Sequence, residues 1–153
     1  MTALVAVEAG AGLHLQRARG EGRVVAVARD GRTEIAALYQ DGCAKIRLPR
    51  THSDALQAVL MNTAGGLTGG DRIDWSAEAA ADTRLVLTTP AAERVYRSIG
   101  GAAVVRTRLL AQGGAHLDWL PQETILFEGA RLDRRLDVDL AEGATLTAVE
   151  AVL

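Results

Sequence analysis

The chain has 153 residues, 48% of them hydrophobic and 24% charged, with a formal net charge of −2. That length suits one domain with a core of its own, and the composition excludes a disordered polar tail. The near-neutral balance excludes a general pull toward nucleic acid or anionic lipid, and a lone cysteine, Cys43, excludes an internal disulfide framework or a cysteine-based zinc cluster.

Alternation of apolar and polar residues runs through the chain, whereas extended helical periodicity does not. Leu13, Leu15 and Arg17 begin a first alternating run. Val25 and Val27 sit between Arg23 and Arg29 in a second, which ends at the hairpin-type turn Asp30-Gly31. Glu34 to Gln40 reads as the returning strand, Asp41-Gly42 as a further turn, and Ala44 to Leu48 as a short strand that Pro49 ends. Asp54 to Met61 has a helix-favouring composition with Ser53 or Asp54 placed as an N-cap. It is short and runs straight into a glycine-rich turn, so a buried strand is the expectation.

The second half repeats itself. Arg72 to Pro90, Val104 to Gln122 and Arg135 to Ala151 each read as strand, small-residue turn, strand. Aligning the first leucine after each turn gives Leu85, Leu117 and Leu146, separated by 32 and 29 residues. A period near 30 predicts stacked strand–turn–strand units, while an ordinary meander of hairpins gives a similar pattern. The expectation is a mainly β chain, either a layered β-sandwich or a β-helix-like stack, with few short helices and one domain over residues 1–153. The sequence stops in mid-pattern at Glu150-Ala151-Val152-Leu153, which predicts a portion of a longer protein.

The stretch from Asn62 to Asp71 holds Gly65, Gly66, Gly69 and Gly70. A phosphate-binding loop requires a lysine and a hydroxyl residue after its last glycine, leading into a helix. Here Asp71 and Arg72 follow, then the alternating Ile73 and Trp75 of a strand, so the glycines predict a tight structural corner instead. Thr88, Thr89, Glu93, Arg94, Tyr96 and Arg97 gather polar groups that suit a partner surface or a polar channel; a solvated loop with a Glu93–Arg97 pair is the plainer reading. Asp118, Glu123 and Glu128 supply carboxylates for acid/base hydrolysis, but the chain lacks the aromatic platforms of sugar binding. His14, His52 and His116 are isolated, with no spacing for a tight transition-metal site.

Three segments, NTAGGLTGGDR (Asn62 to Arg72), TTPAAERVYRS (Thr88 to Ser98) and WLPQETILFEGARL (Trp119 to Leu132), in this order and spacing, together resemble the urease accessory protein UreD family, also called UreH. The resemblance implies a mostly β, helix-poor fold and a cytoplasmic, non-enzymatic chaperone. Such a protein binds apo-urease and UreF, which recruits the GTPase UreG, with no role for nucleic acid or membrane. It implies no tightly bound cofactor, only Ni²⁺ in transit through a polar tunnel. Weak oxygen ligands suit transit where a closed shell of histidine and cysteine would trap the ion. Within the matched segments, the candidates for channel or partner-facing groups are Asp71, Thr88, Thr89, Glu93, Glu123 and Glu128, with Asp71 and Glu123 as transient nickel ligands. Arg94, Tyr96 and Arg97 are candidates for partner contacts or for orienting those carboxylates. Turn-capping by Asp71 and Glu123 is the plainer alternative. Outside the resemblance, a stand-alone β-rich binding module or a carboxylate hydrolase is the competing reading.

Overall fold

A computed structural model describes residues 16–153; the expected alternating run at Leu13 and Leu15, and His14, lie outside the described residues. Among the described residues there is no helix, and the fold is mainly β as the alternation predicts. Strands β1 (Arg19–Arg29), β5 (Arg72–Ala79), β8 (Ala103–Ala111) and β11 (Leu132–Leu140) lie side by side in parallel, forming a first wall. Strands β4 (Leu56–Asn62), β6 (Arg84–Thr88), β9 (His116–Leu120) and β12 (Thr145–Ala148) form a second parallel wall. The short strands β7 (Glu93–Val95) and β10 (Thr124–Leu126) pair in parallel as a third. The chain therefore winds: first wall, second wall, third wall, then up to the next level. Of the two architectures open to the sequence, the β-helix-like stack is the one adopted.

The winding register is the one the leucines predict. Leu85 faces Leu117, and Leu117 faces Leu146, in successive levels of the second wall. The column extends one level further than the sequence reading, because Leu56 faces Leu85. The segment expected from Asp54 to Met61 is indeed a strand, and Ala58 and Leu60 are buried. Leu85 and Leu117 are fully buried and pack with Leu87, Trp119, Leu109 and the alanines Ala79 and Ala111 in one continuous core. Inward positions stack on like positions of the neighbouring coil, so each apolar residue buries its neighbours as well as itself.

The same corner recurs where the first wall passes to the second. In residues 80–83, 112–115 and 141–144 the fourth amide donates to the first carbonyl, at 3.3, 2.9 and 3.0 Å. The third residue of each corner has positive φ, at Asp82 (59°), Gly114 (72°) and Gly143 (76°), as in a type II turn. Asp82 holds a conformation that the other corners assign to glycine; aspartate tolerates it better than most side chains. The first level departs from the rule. Between β1 and β4 the chain runs out through β2 (Arg32–Gly42), antiparallel to β1, and β3 (Ala44–Arg47), antiparallel to β4. These are the hairpin strands expected at the N-terminal side, with the Asp30-Gly31 turn in positive φ at both residues.

Candidate functional site

The three segments singled out in the sequence are structurally equivalent parts of successive levels. Leu67, Val95 and Leu126 are consecutive partners along the third wall, Leu67 to Val95 as a parallel bridge and Val95 to Leu126 in the β7–β10 ladder. Leu67 and Val95 are buried with Ile73 and Ala103 in a second apolar cluster. What reads as three separate motifs along the chain is one continuous face in space.

The glycine stretch forms a tight bend ahead of β5. Gly65, Gly66 and Gly70 have positive φ, and the Tyr96 ring lies where a Gly66 side chain would project. Gly69 faces Ser98 and the carbonyls of Gly100 and Gly101 so closely that a β-carbon has no room. Asp71 closes this corner from inside. Its side chain is 5% exposed, and its two oxygens accept main-chain N–H groups of Ala18 and Thr68, each at 2.8 Å. Both partners are backbone, so the carboxylate fixes where the chain enters the first wall.

Inside the third wall the apolar columns break. Glu93 faces Thr124 in the β7–β10 register. On the first wall, Trp75 faces Thr107, and the inward column Ile73, Val105 ends in Arg134. Glu93, Thr107, Thr124 and Arg134 line a cavity of about 50 Å³ with Trp75 and Trp119 among its apolar walls. A second, wider cavity of about 240 Å³ is lined by Asn62, Gly65, Gly66, Pro90 and Arg94. Leu60, Trp75, Thr89 and Glu93 border both, which places the Glu93 carboxylate where one opens toward the other. Asn62 Nδ2 donates to both Glu93 oxygens at 3.2 Å. Burial pushes the Glu93 carboxyl above its ordinary range, and the Asn62 hydrogen bond, the Arg94 amide and the Arg134 charge offset this only in part.

That shift has a sign that can be tested. A carboxyl whose folded pKa is raised binds its proton more tightly in the native state, so stability falls as pH rises from the ordinary carboxylate value through the raised one. Glu93→Gln is therefore expected to raise the urea midpoint at pH 7 relative to the parent. The gain should vanish at pH 4, where both states of the parent hold the proton to a large extent. A lower midpoint at pH 7 would contradict this account.

The remaining candidates divide. Thr89 Oγ1 accepts from the Gln122 amide at 2.9 Å, and Thr88 Oγ1 donates to the Leu120 carbonyl at 2.8 Å, so both threonines tie one level to the next. Glu123 joins the Glu93 level through its backbone, its carbonyl accepting from the Glu93 amide at 2.9 Å, while its half-buried side chain makes no ion pair among the described residues. Tyr96, Arg97 and Glu128 are exposed on the outer face of the third wall, and Arg94, also exposed, borders the wider cavity. Tyr96 stacks on Phe127, with ring centres 5.2 Å apart, and Arg97 reaches Glu128 at 3.7 Å. The carboxylates weighed for hydrolysis are not drawn into one cleft: Asp118 pairs with His116 at 3.1 Å on the second wall, and Glu128 is on the third. Among the described residues no three histidine, cysteine or acidic side chains are grouped to hold a metal ion. Cys43 is half-buried, and burial pushes its thiol up.

Sequence reading missed Asn62, Thr107, Arg134 and Glu150 as site residues. Arg134 carried a usable signal: the offsets of 32 and 29 residues that align the leucines also align Ile73, Val105 and Arg134.

The profile of the family described as UreD urease accessory protein matches residues 18–153. The chain belongs to the UreD family. It is 64% identical over 139 residues to a urease accessory protein UreD of Chelativorans sp. (strain BNC1), covering 91% of this chain and 50% of that protein. It is 59% identical over 138 residues to the UreD of Rhizobium etli, covering 90% and 50%, and 56% identical over 138 residues to that of Agrobacterium fabrum, covering 90% and 49%. The chain thus spans about half the length of these UreD relatives. The match takes in the whole third wall and both cavities of this UreD-family chain. No helix among its described residues is long and apolar enough to cross a membrane.

Proposed function

We propose that this chain is part of a cytoplasmic urease-maturation chaperone that scaffolds apo-urease with UreF and UreG and conducts Ni²⁺ toward the apo-enzyme. No covalent bond is made or broken on it, and GTP hydrolysis falls to UreG. The described β stack acts as one domain in this role. The observation that carries the reading is Glu93, an inward carboxylate at the junction of two cavities, in a stack whose buried core is otherwise mostly apolar. A hydrated divalent cation moving through the stack needs oxygen atoms that hold it weakly. Glu93 and the Thr89 and Thr124 hydroxyls supply that chemistry without the nitrogen or sulfur shell that would retain nickel. Glu123 and Asp71 remain candidates for nickel contacts beyond this seam. Nickel is cargo here, and the raised affinity of Glu93 for a proton fits a ligand that binds and releases.

The test replaces Glu93 by glutamine in the full-length protein, co-expressed with urease subunits, UreF and UreG. Nickel per urease active site is expected to fall at least fivefold, while the accessory complex still co-purifies. Normal nickel content in the variant would remove the conduit reading.

A further inference from the structure

We infer that Arg134 is the gate of the interior cavity, a fixed positive charge that a divalent cation must displace to pass from Glu93 toward the β12 end of the stack. The inference rests on the conduit reading above. Arg134 occupies an inward position of β11, stacked on Val105 and, one level beyond, on Ile73. An arginine in an apolar column is costly unless its donors are used. Here they are: Nη1 donates to Thr124 Oγ1 at 2.8 Å and Nη2 to Glu150 Oε1 at 2.6 Å. Glu150 Oε1 also accepts from Trp119 Nε1 at 2.8 Å, so one carboxylate oxygen holds both the guanidinium and the indole that walls the cavity. This arrangement crosses the cavity from the first wall to the third.

A second observation places an unused polar group in the same space. Thr107, 3% exposed, lines the cavity, and its hydroxyl has no hydrogen-bond partner. A buried hydroxyl left without a partner costs about 1–3 kcal/mol, so it marks a place where a transient guest finds an oxygen. Glu93, that hydroxyl and the guanidinium line one cavity, so a cation drawn to the first two meets the charge of the third. A purely structural arginine would tie β11 to β10 with no bearing on cations, and the two roles separate experimentally.

Calorimetric titration of the full-length protein with NiCl₂ at pH 7 tests the gate. Arg134→Met keeps the stem and removes the charge, and is expected to bind Ni²⁺ at least tenfold more tightly than the parent. Arg134→Lys keeps a charge and should stay within twofold of the parent. The double variant Glu93→Gln/Arg134→Met should lose the gain. Equal affinity of Arg134→Met and parent, an equal gain in Arg134→Lys, or a gain that survives loss of Glu93 would each overturn the inference. If Arg134→Met does not fold, Arg134→Gln, which retains a donor for Thr124, takes its place with the same expectation. Failure of the conduit reading is seen separately, as normal urease nickel content in the Glu93→Gln protein.

Discussion

Leu117→Ala is expected to lower the unfolding free energy by about 3–5 kcal/mol, the range for removing a fully buried leucine from a core that cannot collapse around the gap. Leu117 has 0% exposure and stands in the middle of the column Leu56, Leu85, Leu117, Leu146. A cavity there cannot be filled by a neighbour sliding along the column, because β9 and its neighbour β6 are each held in register on both sides by their ladder bonds. Against a typical domain stability of about 5–15 kcal/mol, this is a large fraction of the total. Urea unfolding measures it directly. The same change at Leu146, which is half-buried and in the outermost described strand of the second wall, should cost visibly less. Equal losses at the two positions would show that the column is not the unit of packing.

Asp71→Ala is expected to cost about 3 kcal/mol through a different mechanism. The carboxylate accepts from two main-chain amides in a nearly buried corner, and hydrogen bonds to a charged group contribute about 1.5–3 kcal/mol each. Alanine leaves both donors without an acceptor. Asp71→Asn offers one acceptor oxygen where two are needed, so it should recover only part of the loss. Differential scanning calorimetry of the three proteins distinguishes the cases. Full recovery by asparagine would mean that a single amide carries the corner. A fall in urease nickel content on removing Asp71 therefore reports on the cargo route only in a variant whose melting temperature is unchanged.

Much of the fold is legible in the sequence because its units repeat. Leu85, Leu117 and Leu146 align along the chain for the same reason that they touch in space: each coil sets its leucine on the one below. The fourth member, Leu56, escapes the pattern because β2 and β3, in place of a four-residue corner, separate it from the first-wall strand β1. The third wall is harder to read. Its strands are three residues long, too short for alternation to emerge, and the segments that build it are recognisable only as separate motifs. Glu93 could be singled out because it lies inside such a motif. Arg134 and Glu150 meet although they stand 16 positions apart in the chain, and Thr107 becomes notable only once its neighbours are known to be apolar. Inward and outward positions differ by a single residue of register, so a polar seam inside the stack cannot be told from a polar outer face before the register is fixed.

The corners leave a different kind of freedom. In three levels the passage from first to second wall takes a four-residue turn, while in the first level residues 30–55 leave by the same exit and return through the β2 hairpin and β3. Both kinds of connection deliver their strands into identical ladders, since strand position is dictated from above and below rather than by the link. Evolution can thus lengthen or decorate these bends without disturbing the interior. Gain or loss of one residue inside a wall, by contrast, would turn the lining of that level inside out.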